Sequence, residues 1–349
     1  MMTLKQFSSE PESIPTATSW YLADLGVAQG RQDLFTRQSP QKLKVLRENA
    51  LIESAVSSNR IEGVTVDQAR VGTILFGRPT LKDRDEEEVR GYRDALRLIH
   101  EEAQSLPVTQ QTIRRLHQLC RGEVWDAGRF KEKDVDIIQT YPDGRRRVRF
   151  RPVPAGRPTR QAITETAALY RQGLRQRWVH PLILLAGMNL DFLCIHPFRD
   201  GNGRVSRLLL LLTCYQQGYE VGRYISLERI IEQSKDRYYE TLEACSQDWH
   251  QGKHNPWPYV NYVLHVLKSA YQEFENRLGR IASARGEKTG LIRRAVASKT
   301  QPFSVGELQK DCPGVSTDMI RHVLKALRSE GKVECIGRGQ KARWRQIAN

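Results

Sequence analysis

Two apolar segments enclose one very polar turn near the middle of the chain, and this arrangement constrains the fold most. Residues 181–194 are almost entirely apolar, which predicts a central, fully buried helix. The polar turn 196–207 follows, and a second apolar helix is predicted from about Asn202 to Gln217. Because both ends of the turn are fixed in the core, the turn is held rigidly at the start of a helix. Such a loop suits a phosphate site.

Composition indicates a soluble, multidomain protein. The chain has 349 residues, enough for two or three domains, and a mean hydropathy of -0.56. No apolar run reaches the roughly 18 residues of a membrane span, and residues 1–15 lack a signal-peptide pattern. Six cysteines occur without CxxC pairs, at positions 120, 194, 214, 245, 312 and 335. We therefore expect reduced cysteines, no membrane contact and a cytoplasmic location.

The net charge of +15 and the pI near 9.7 predict attraction to polyanions. From Leu291 onward there are 12 Lys/Arg and 5 Asp/Glu, so 12 − 5 = +7 of the total lies in the tail. The tail predicts a helix at 291–295, a helix after Phe303, a helix over 318–330 capped by Ser316, and a two-strand wing. This order is typical of a winged helix. It fits DNA binding, and it fits protein contact or dimerisation equally.

The N-terminal half is predicted to be helical. One helix is expected within residues 1–40, and a second over 41–60 carries an apolar stripe of Leu43, Leu46 and Ala50 and another that includes Val45. Gly63 serves as its C-terminal stop. The charged run 82–90 is interpreted as a solvated helix face.

Residues 134–151 predict a β-hairpin with a Tyr141–Gly144 turn. Its second strand is rich in arginine, at positions 145, 146, 147, 149 and 151. Two interpretations stay open. The charges guard an exposed edge against aggregation, or the edge captures an extended peptide and the arginines select acidic partners.

The central turn combines groups that suit nucleotide chemistry. Gly201 and Gly203 allow backbone N–H groups at a helix N-terminus to form an anion nest. Arg204 and Arg207, three residues apart, share a helix face and can clamp a di- or triphosphate. Asp200 beside the nest would repel phosphates unless Mg²⁺ bridges them. His196 can accept a proton near neutral pH.

The string HPFRDGNGRVSR, residues 196–207, resembles the signature HPF-x-(D/E)-GNGR-xx-R of Fic domain proteins at every specified position. The resemblance covers most of residues 15–265. It implies a mainly α-helical bundle with a small β-hairpin flap, and transfer of AMP from ATP to a protein hydroxyl. It also implies that His196 is the base and that Asp200 is the Mg²⁺ ligand. Asn202 would lie on the α-phosphate side, and Arg204 and Arg207 would hold the outer phosphates.

The same resemblance predicts the residues that contact the nucleotide. They are Glu62, His196, Gly201, Asn202, Gly203, Arg204, Val205, Ser206, Arg207 and Tyr239. Tyr238 and Tyr239 resemble an aromatic pair near the nucleotide, although two tyrosines of the core would look the same.

Residues 58–63 resemble the inhibitory pattern (S/T)-xxx-E-(G/N) of the same family. The resemblance makes Ser58, Glu62 and Gly63 inhibitory residues. Glu62 would pair with Arg207 and take the guanidinium that should hold the γ-phosphate.

We therefore predict an N-terminal helical region with the inhibitory helix (1–105), a Fic core (106–268), a helical linker (269–288) and a winged helix (289–349). The predicted function is an autoinhibited protein adenylyltransferase that modifies Ser, Thr or Tyr and uses ATP and Mg²⁺. The alternatives are a DNA-binding regulator with a nucleotide-sensing domain, removal of AMP, or transfer of a different group. Expected partners are a target protein on the 134–151 hairpin, DNA on 289–349, and a second copy in a homodimer that buries the inhibitory region.

Overall fold

The computed structural model describes residues 2–9, 13–36, 40–77, 80–140, 143–297, 299, 301–312, 315–337 and 342–347. The chain forms two compact units, Met1–Phe274 and Glu275–Asn349. The mainly helical fold with one small β-hairpin confirms the predicted fold class. None of the helices in these ranges has both the length and the apolar character needed to cross a bilayer.

The first unit consists of helices and one hairpin. The helices are α1 (Thr3–Ser8), α2 (Thr16–Thr36), α3 (Pro40–Ile61), α4 (Val71–Phe76), α5 (Arg84–Glu102), α6 (Gln110–Arg121), α7 (Arg157–Gln176), α8 (Pro181–Ile195), α9 (Asn202–Gln216), α10 (Leu227–Gln233), α11 (Lys235–Ser246) and α12 (Trp257–Ala297). Helix α12 continues across the division into the second unit. Helices α10 and α11 meet at Ser234.

Helices α8 and α9 form the buried centre. Every residue of α8 from Leu182 to Ile195 is buried, and α9 is buried from Arg204 to Tyr215. An α-helix that is apolar on all sides must be covered on all sides, and α8 packs against α1, α7, α9 and α11. The predicted central helix and the helix that follows it are both confirmed.

Two expectations for the N-terminal helices are wrong in part. The stripe of Leu43, Leu46 and Ala50 on α3 is buried. In the second stripe Val45 is 56% exposed, whereas Ile52 and Val56 are half-buried, so that side of α3 is covered only in part. The charged run 82–90 is not a fully solvated face, because Glu86 and Glu88 are buried. Each has a guanidinium partner, and pairing is what allows a carboxylate to be buried.

The hairpin confirms the predicted strand pair. Strand β1 (Ile137–Thr140) pairs antiparallel with β2 (Arg146–Phe150), with an irregularity between Ile137 and Ile138. The predicted turn falls partly on residues 141 and 142, which lie outside the described residues.

The second unit has its own core and the predicted order of elements. After the end of α12 come α13 (Val305–Asp311), α14 (Thr317–Ser329) and the antiparallel strands β3 (Val333–Ile336) and β4 (Arg343–Gln346). The Ser316 side chain caps α14, as expected. The helix predicted at 291–295 is not separate, because α12 runs to Ala297 without a break. Assignment to the winged-helix class stays a prediction, as does the division of the chain into four domains.

Candidate active site

His196 ends α8 in a left-handed conformation, with φ of 51°. Lys131 holds the backbone on both sides of it: its Nζ donates to the Ile195 carbonyl (3.2 Å), and its N–H donates to the Pro197 carbonyl (2.9 Å). Burial and then the charge of Lys131 lower the pKa of His196 to about 4. The imidazole is therefore neutral near pH 7 and available as a proton acceptor.

The loop between α8 and α9 is fixed by its own amide. The Asn202 side chain accepts from the Phe198 N–H (2.9 Å) and donates to the Phe198 carbonyl (2.9 Å). These two hydrogen bonds close the turn. Gly201 completes the turn with φ of 79°, a conformation that costs a glycine little. Asn202 is therefore occupied in shaping the loop, in addition to any contact with a phosphate.

His117 on α6 packs against the same loop and bonds to it. Its ring stacks on Phe198 at 3.7 Å between centroids. Its Nδ1 accepts from the Gly128 N–H (2.8 Å), so the proton lies on Nε2, which donates to the Asp200 carbonyl (3.0 Å). Burial lowers the pKa of His117 to about 4 and keeps this tautomer neutral.

Asp200 points to the outside of the loop, with 53% of its side chain exposed. Its Oδ2 pairs with Arg121 (2.8 Å), and its Oδ1 accepts from the Gly201 N–H (2.6 Å). Burial raises its pKa, but the charges of Arg121 and Arg204 outweigh burial and hold the pKa below its ordinary value. Asp200 is thus a carboxylate at neutral pH.

Arg204 is fully buried and belongs to an ion-pair network. Glu88 on α5 accepts from Arg204 (2.5 Å) through one oxygen and from Arg121 (2.5 Å) through the other. Asn59 on α3 accepts a further bond from Arg204 (3.2 Å). The network connects the loop to α3, α5 and α6.

Arg207 binds the residues that end α3. Its guanidinium donates to Ser58 Oγ (2.8 Å), to the Ser58 carbonyl (2.9 Å) and to Glu62 Oε1 (2.8 Å). The Arg207 side chain is 2% exposed and that of Glu62 is 27% exposed. Gly63 directly after Glu62 has φ of 85°, which ends the helix there.

The Glu62 carboxylate lies over the first turn of α9. A Cβ atom at Gly203 would collide with Glu62 Oε1, so only glycine permits this approach. Free backbone N–H groups and the helix dipole favour an anion at this place. Glu62 therefore stands where the nest was expected to hold a phosphate.

A cavity of about 650 Å³ opens beside these groups. Glu62, His196, Gly203 and Tyr239 line it. Its other walls are the hairpin, through Ile137, Ile138, Arg149 and Phe150, helix α11, through Asp236, Tyr238, Glu240, Leu242, Glu243 and Ser246, and helix α8, through Leu190, Leu193 and Cys194. The remaining predicted contact residues are not among those that line it. Val205 is fully buried, and the Ser206 hydroxyl donates to Asn189 (2.9 Å), so both side chains face the core.

Known proteins share both the sequence of this region and its fold. Residues 107–214 match the profile of the Fic/DOC family. The chain contains a Fic domain. A Fic family protein from Desulfovibrio desulfuricans has a similar structure, with a TM-score of 0.61, 21% identity and coverage of 97% of this chain and 98% of that one. A Fic domain containing signaling protein from Bacteroides thetaiotaomicron also has a TM-score of 0.61, with 22% identity over 73% of this chain and 98% of the other.

A curated relative is similar in sequence over part of its length. The protein adenylyltransferase Fic of Drosophila persimilis is 27% identical over 216 residues, which are 60% of this chain. The match spans only 39% of that relative.

Sequence reasoning found four of the residues that line the cavity, Glu62, His196, Gly203 and Tyr239, and missed the groups that hold the loop in place. Glu88 lies within the charged run 82–90, which was interpreted as solvated. Lys131 and His117 belong to no recognisable motif, and Asn59 is at an unspecified position of the 58–63 pattern. His117 and Arg121 are four residues apart on α6, which is the one spacing that could have indicated a shared face.

Proposed function

We propose that the chain is a protein adenylyltransferase, in which a Ser, Thr or Tyr hydroxyl of a target protein attacks the α-phosphorus of ATP, takes up AMP and displaces pyrophosphate. The single observation that carries this proposal is that a neutral His196 and the first turn of α9 at Gly203 open on one cavity, next to the hairpin. Attack on a phosphorus requires a proton acceptor, an anion site and an aligned nucleophile. The name of the Drosophila relative supports the same chemistry.

Each residue of the site has a role in this reaction. The His196 imidazole takes the proton from the attacking hydroxyl, and Lys131 keeps it in position. The N–H groups at the start of α9 bind the phosphates, and Gly201 and Gly203 let them approach. Arg207 does not line the cavity itself, but it pairs with Glu62, which does, so it is the guanidinium that we assign to an outer phosphate. Arg204 lies deeper, bonded to Glu88 and Asn59, and supports the loop.

Asp200 fits a magnesium site. Its carboxylate is half exposed and ionised, and Mg²⁺ in nucleotide sites commonly uses one or two carboxylates together with phosphate oxygens. Such an ion supplies positive charge next to the phosphates. Asp200 would bind it through Oδ2, the oxygen that now pairs with Arg121.

We further propose that the end of α3 inhibits the enzyme. Glu62 both pairs with Arg207 and lies over the N-terminus of α9, so it occupies two places that an outer phosphate needs. Ser58 accepts two further hydrogen bonds from Arg207 and so helps to keep the guanidinium at the end of α3. ATP that binds under these conditions cannot place its phosphates productively.

The experiment is AMP transfer by a Glu62→Gly variant. Loss of the carboxylate frees Arg207 and the helix N-terminus, so we expect label from α-labelled ATP, and none from γ-labelled ATP, to enter the protein or a target in lysate. Relief of one buried charge-assisted contact predicts a gain of about tenfold or more. Added His196→Ala should abolish transfer and leave ATP binding largely intact. Equal labelling by the parent and Glu62→Gly would contradict inhibition, and retained transfer without His196 would exclude it as the base.

Removal of AMP from a modified protein is a second candidate activity. Glu62 and His196 line the same cavity, and a carboxylate there could orient a water towards a bound AMP ester. The test is to give the parent protein an adenylylated target and measure the release of AMP. Release by the parent protein that disappears in the Glu62→Gly variant would support this activity.

The second unit carries a separate proposal of DNA binding. Its predicted recognition helix α14 exposes Arg321, Lys325 and Arg328. Binding to duplex DNA that survives physiological salt would favour a regulator, whereas loss of binding at that salt would leave only non-specific attraction. The homodimer and the cytoplasmic location stay predictions.

A further inference from the structure

The five arginines of the hairpin divide into two groups. Arg145 pairs with Asp143 (2.6 Å), and Arg149 donates to the Tyr239 carbonyl and lies 3.7 Å from Glu243. These two serve the hairpin itself. The other three are Arg146, Arg147 and Arg151. They are exposed, and no carboxylate of the described residues lies within ion-pair distance of them.

The positive charge of this segment is therefore not balanced internally. Residues 143–151 contain five arginines and one aspartate, which gives 5 − 1 = +4. Charged side chains can guard an edge strand against pairing with other chains. Arg146 and Arg147 on β2, together with Arg151 directly after it, also create a local positive field.

The hairpin also presents features that bind an extended chain. Within the described residues, β1 and β2 pair only with each other, so each has an unpaired edge. Ile138 and Val148, which face each other across the strands, are 50% and 42% exposed. Backbone groups, an apolar cross-strand pair and adjacent charges are the three elements of β-strand addition.

The base of the hairpin is anchored, so its arginines have a defined position relative to the cavity. Phe150 stacks on His250 at 5.4 Å, and His250 Nε2 donates to the Arg151 carbonyl (2.7 Å). Arg149 lines the cavity, and Arg147 is two residues further along the strand. At about 3.3 Å per residue, Arg147 lies about 7 Å beyond the cavity wall.

We propose that the hairpin docks an extended acidic segment of the target, with Asp or Glu about two to four residues from the acceptor hydroxyl. The inference rests on the proposed AMP transfer and adds the substrate class. Arg146, Arg147 and Arg151 determine this specificity. Of the nearby aspartates, Asp143 is paired with Arg145, whereas Asp134 accepts from the Ala155 N–H at the base of the hairpin (2.7 Å) and keeps its charge.

The test compares two short peptides with the same acceptor and the same apolar residues, one with flanking Asp and one with flanking Lys. In the Glu62→Gly background, α-labelled ATP should modify the Asp peptide about fivefold faster or more, because two exposed charge pairs are gained. Arg146→Glu with Arg147→Glu should abolish or reverse the preference. The matched control is Arg171→Glu with Arg175→Glu on the exposed face of α7, which changes the total charge equally and should leave the preference intact.

Fluorescence anisotropy of the labelled peptides on the His196→Ala variant separates this proposal from the proposed function, because it needs no transfer. Tighter binding of the Asp peptide that depends on Arg146 and Arg147 supports acidic docking even if no AMP is transferred. Equal rates and equal binding for both peptides would overturn it, including where self-modification shows that the enzyme is active.

Discussion

Glu88 places one negative charge between two buried guanidiniums. Its two oxygens accept from Arg121 and Arg204, and all three side chains are at most 4% exposed. Burial of three charges is costly, and a missing partner leaves an uncompensated charge. Arg121 also pairs with Asp200, the proposed metal ligand. The position of Asp200 therefore depends, through Arg121, on Glu88 of helix α5.

We predict that Glu88→Gln weakens both the fold and the site. Gln keeps the shape but removes the charge, so Arg121 and Arg204 lose their buried carboxylate and share only the half-exposed Asp200. The free energy of unfolding should fall by about 3 kcal/mol. In the Glu62→Gly background, the Mg²⁺ concentration needed for half-maximal AMP transfer should rise, because Asp200 loses its orientation. Urea unfolding and a magnesium titration measure the two effects.

The control for this variant is one residue away. Glu87 is exposed, so Glu87→Gln should change the free energy of unfolding by less than about 0.5 kcal/mol. Equal stability of the Glu88 and Glu87 variants would show that the network contributes nothing measurable. A normal magnesium response in Glu88→Gln would remove its positioning role.

The sequence allowed only part of the residue-level site to be predicted, for a physical reason. Groups on one turn of chain, such as His196, Asp200 and Arg207, reveal themselves by local spacing. Glu88 and Lys131 act through long-range contacts, and a charge that is buried by tertiary pairing looks the same in sequence as one in solvent. The ion pair between Glu62 and Arg207 could be predicted only from the resemblance to a family pattern, because the two residues are far apart in the sequence.

At the scale of elements, α8 depends on the short helix α1. Leu4 and Phe7 of α1 are buried, and Asp191 in the middle of α8 accepts the N–H groups of Thr3 (2.6 Å) and Leu4 (3.0 Å). Sequence patterns had indicated one helix in residues 1–40 and could not show this contact. Six residues are too few for a reliable helical period, and such a helix is stable only through its packing.

We predict that Gly187→Ala separates these two elements. A Cβ at Gly187 would lie 2.5 Å from the Phe7 ring and 3.2 Å from Thr3 Cγ2, so α1 has to move. The added methyl group should lower the free energy of unfolding by about 1–3 kcal/mol, despite the better helix propensity of alanine. Thermal unfolding followed by circular dichroism measures the loss.

Gly26 on α2 supplies the matched control, since a Cβ there meets nothing within 4 Å. Gly26→Ala should raise stability by up to about 1 kcal/mol. If both variants were stabilised equally, α1 would not be packed on Gly187 as described.

At the scale of the whole molecule, the pattern of buried and exposed segments predicted the architecture of the first unit well. Helix α9, predicted from about Asn202 to Gln217, was placed within a residue. The end of the long helix α12 was not, because α12 continues through Gly286 and Gly290, residues that in sequence indicate a helix end. The identity of the partners of buried charges was also beyond pattern reasoning, since it depends on how distant helices meet.

Buried histidines make the first unit sensitive to acid, and this gives a prediction for the intact protein. Burial lowers the pKa of four histidines, His100, His117, His196 and His254, to about 4, whereas an unfolded histidine titrates near 6.5. The unfolded chain therefore binds more protons between these values, so their stabilising contribution is complete above 6.5 and is lost as the pH falls towards 4. Burial raises the pKa of Asp191 to about 6, which opposes this trend. From pH 7 to pH 5 we expect a net loss of roughly 4–7 kcal/mol in the free energy of unfolding, measured by urea titration at each pH. A free energy that stays constant over this interval would mean that these imidazoles take up protons as readily in the folded protein as in the unfolded chain, which would contradict their lowered pKa values.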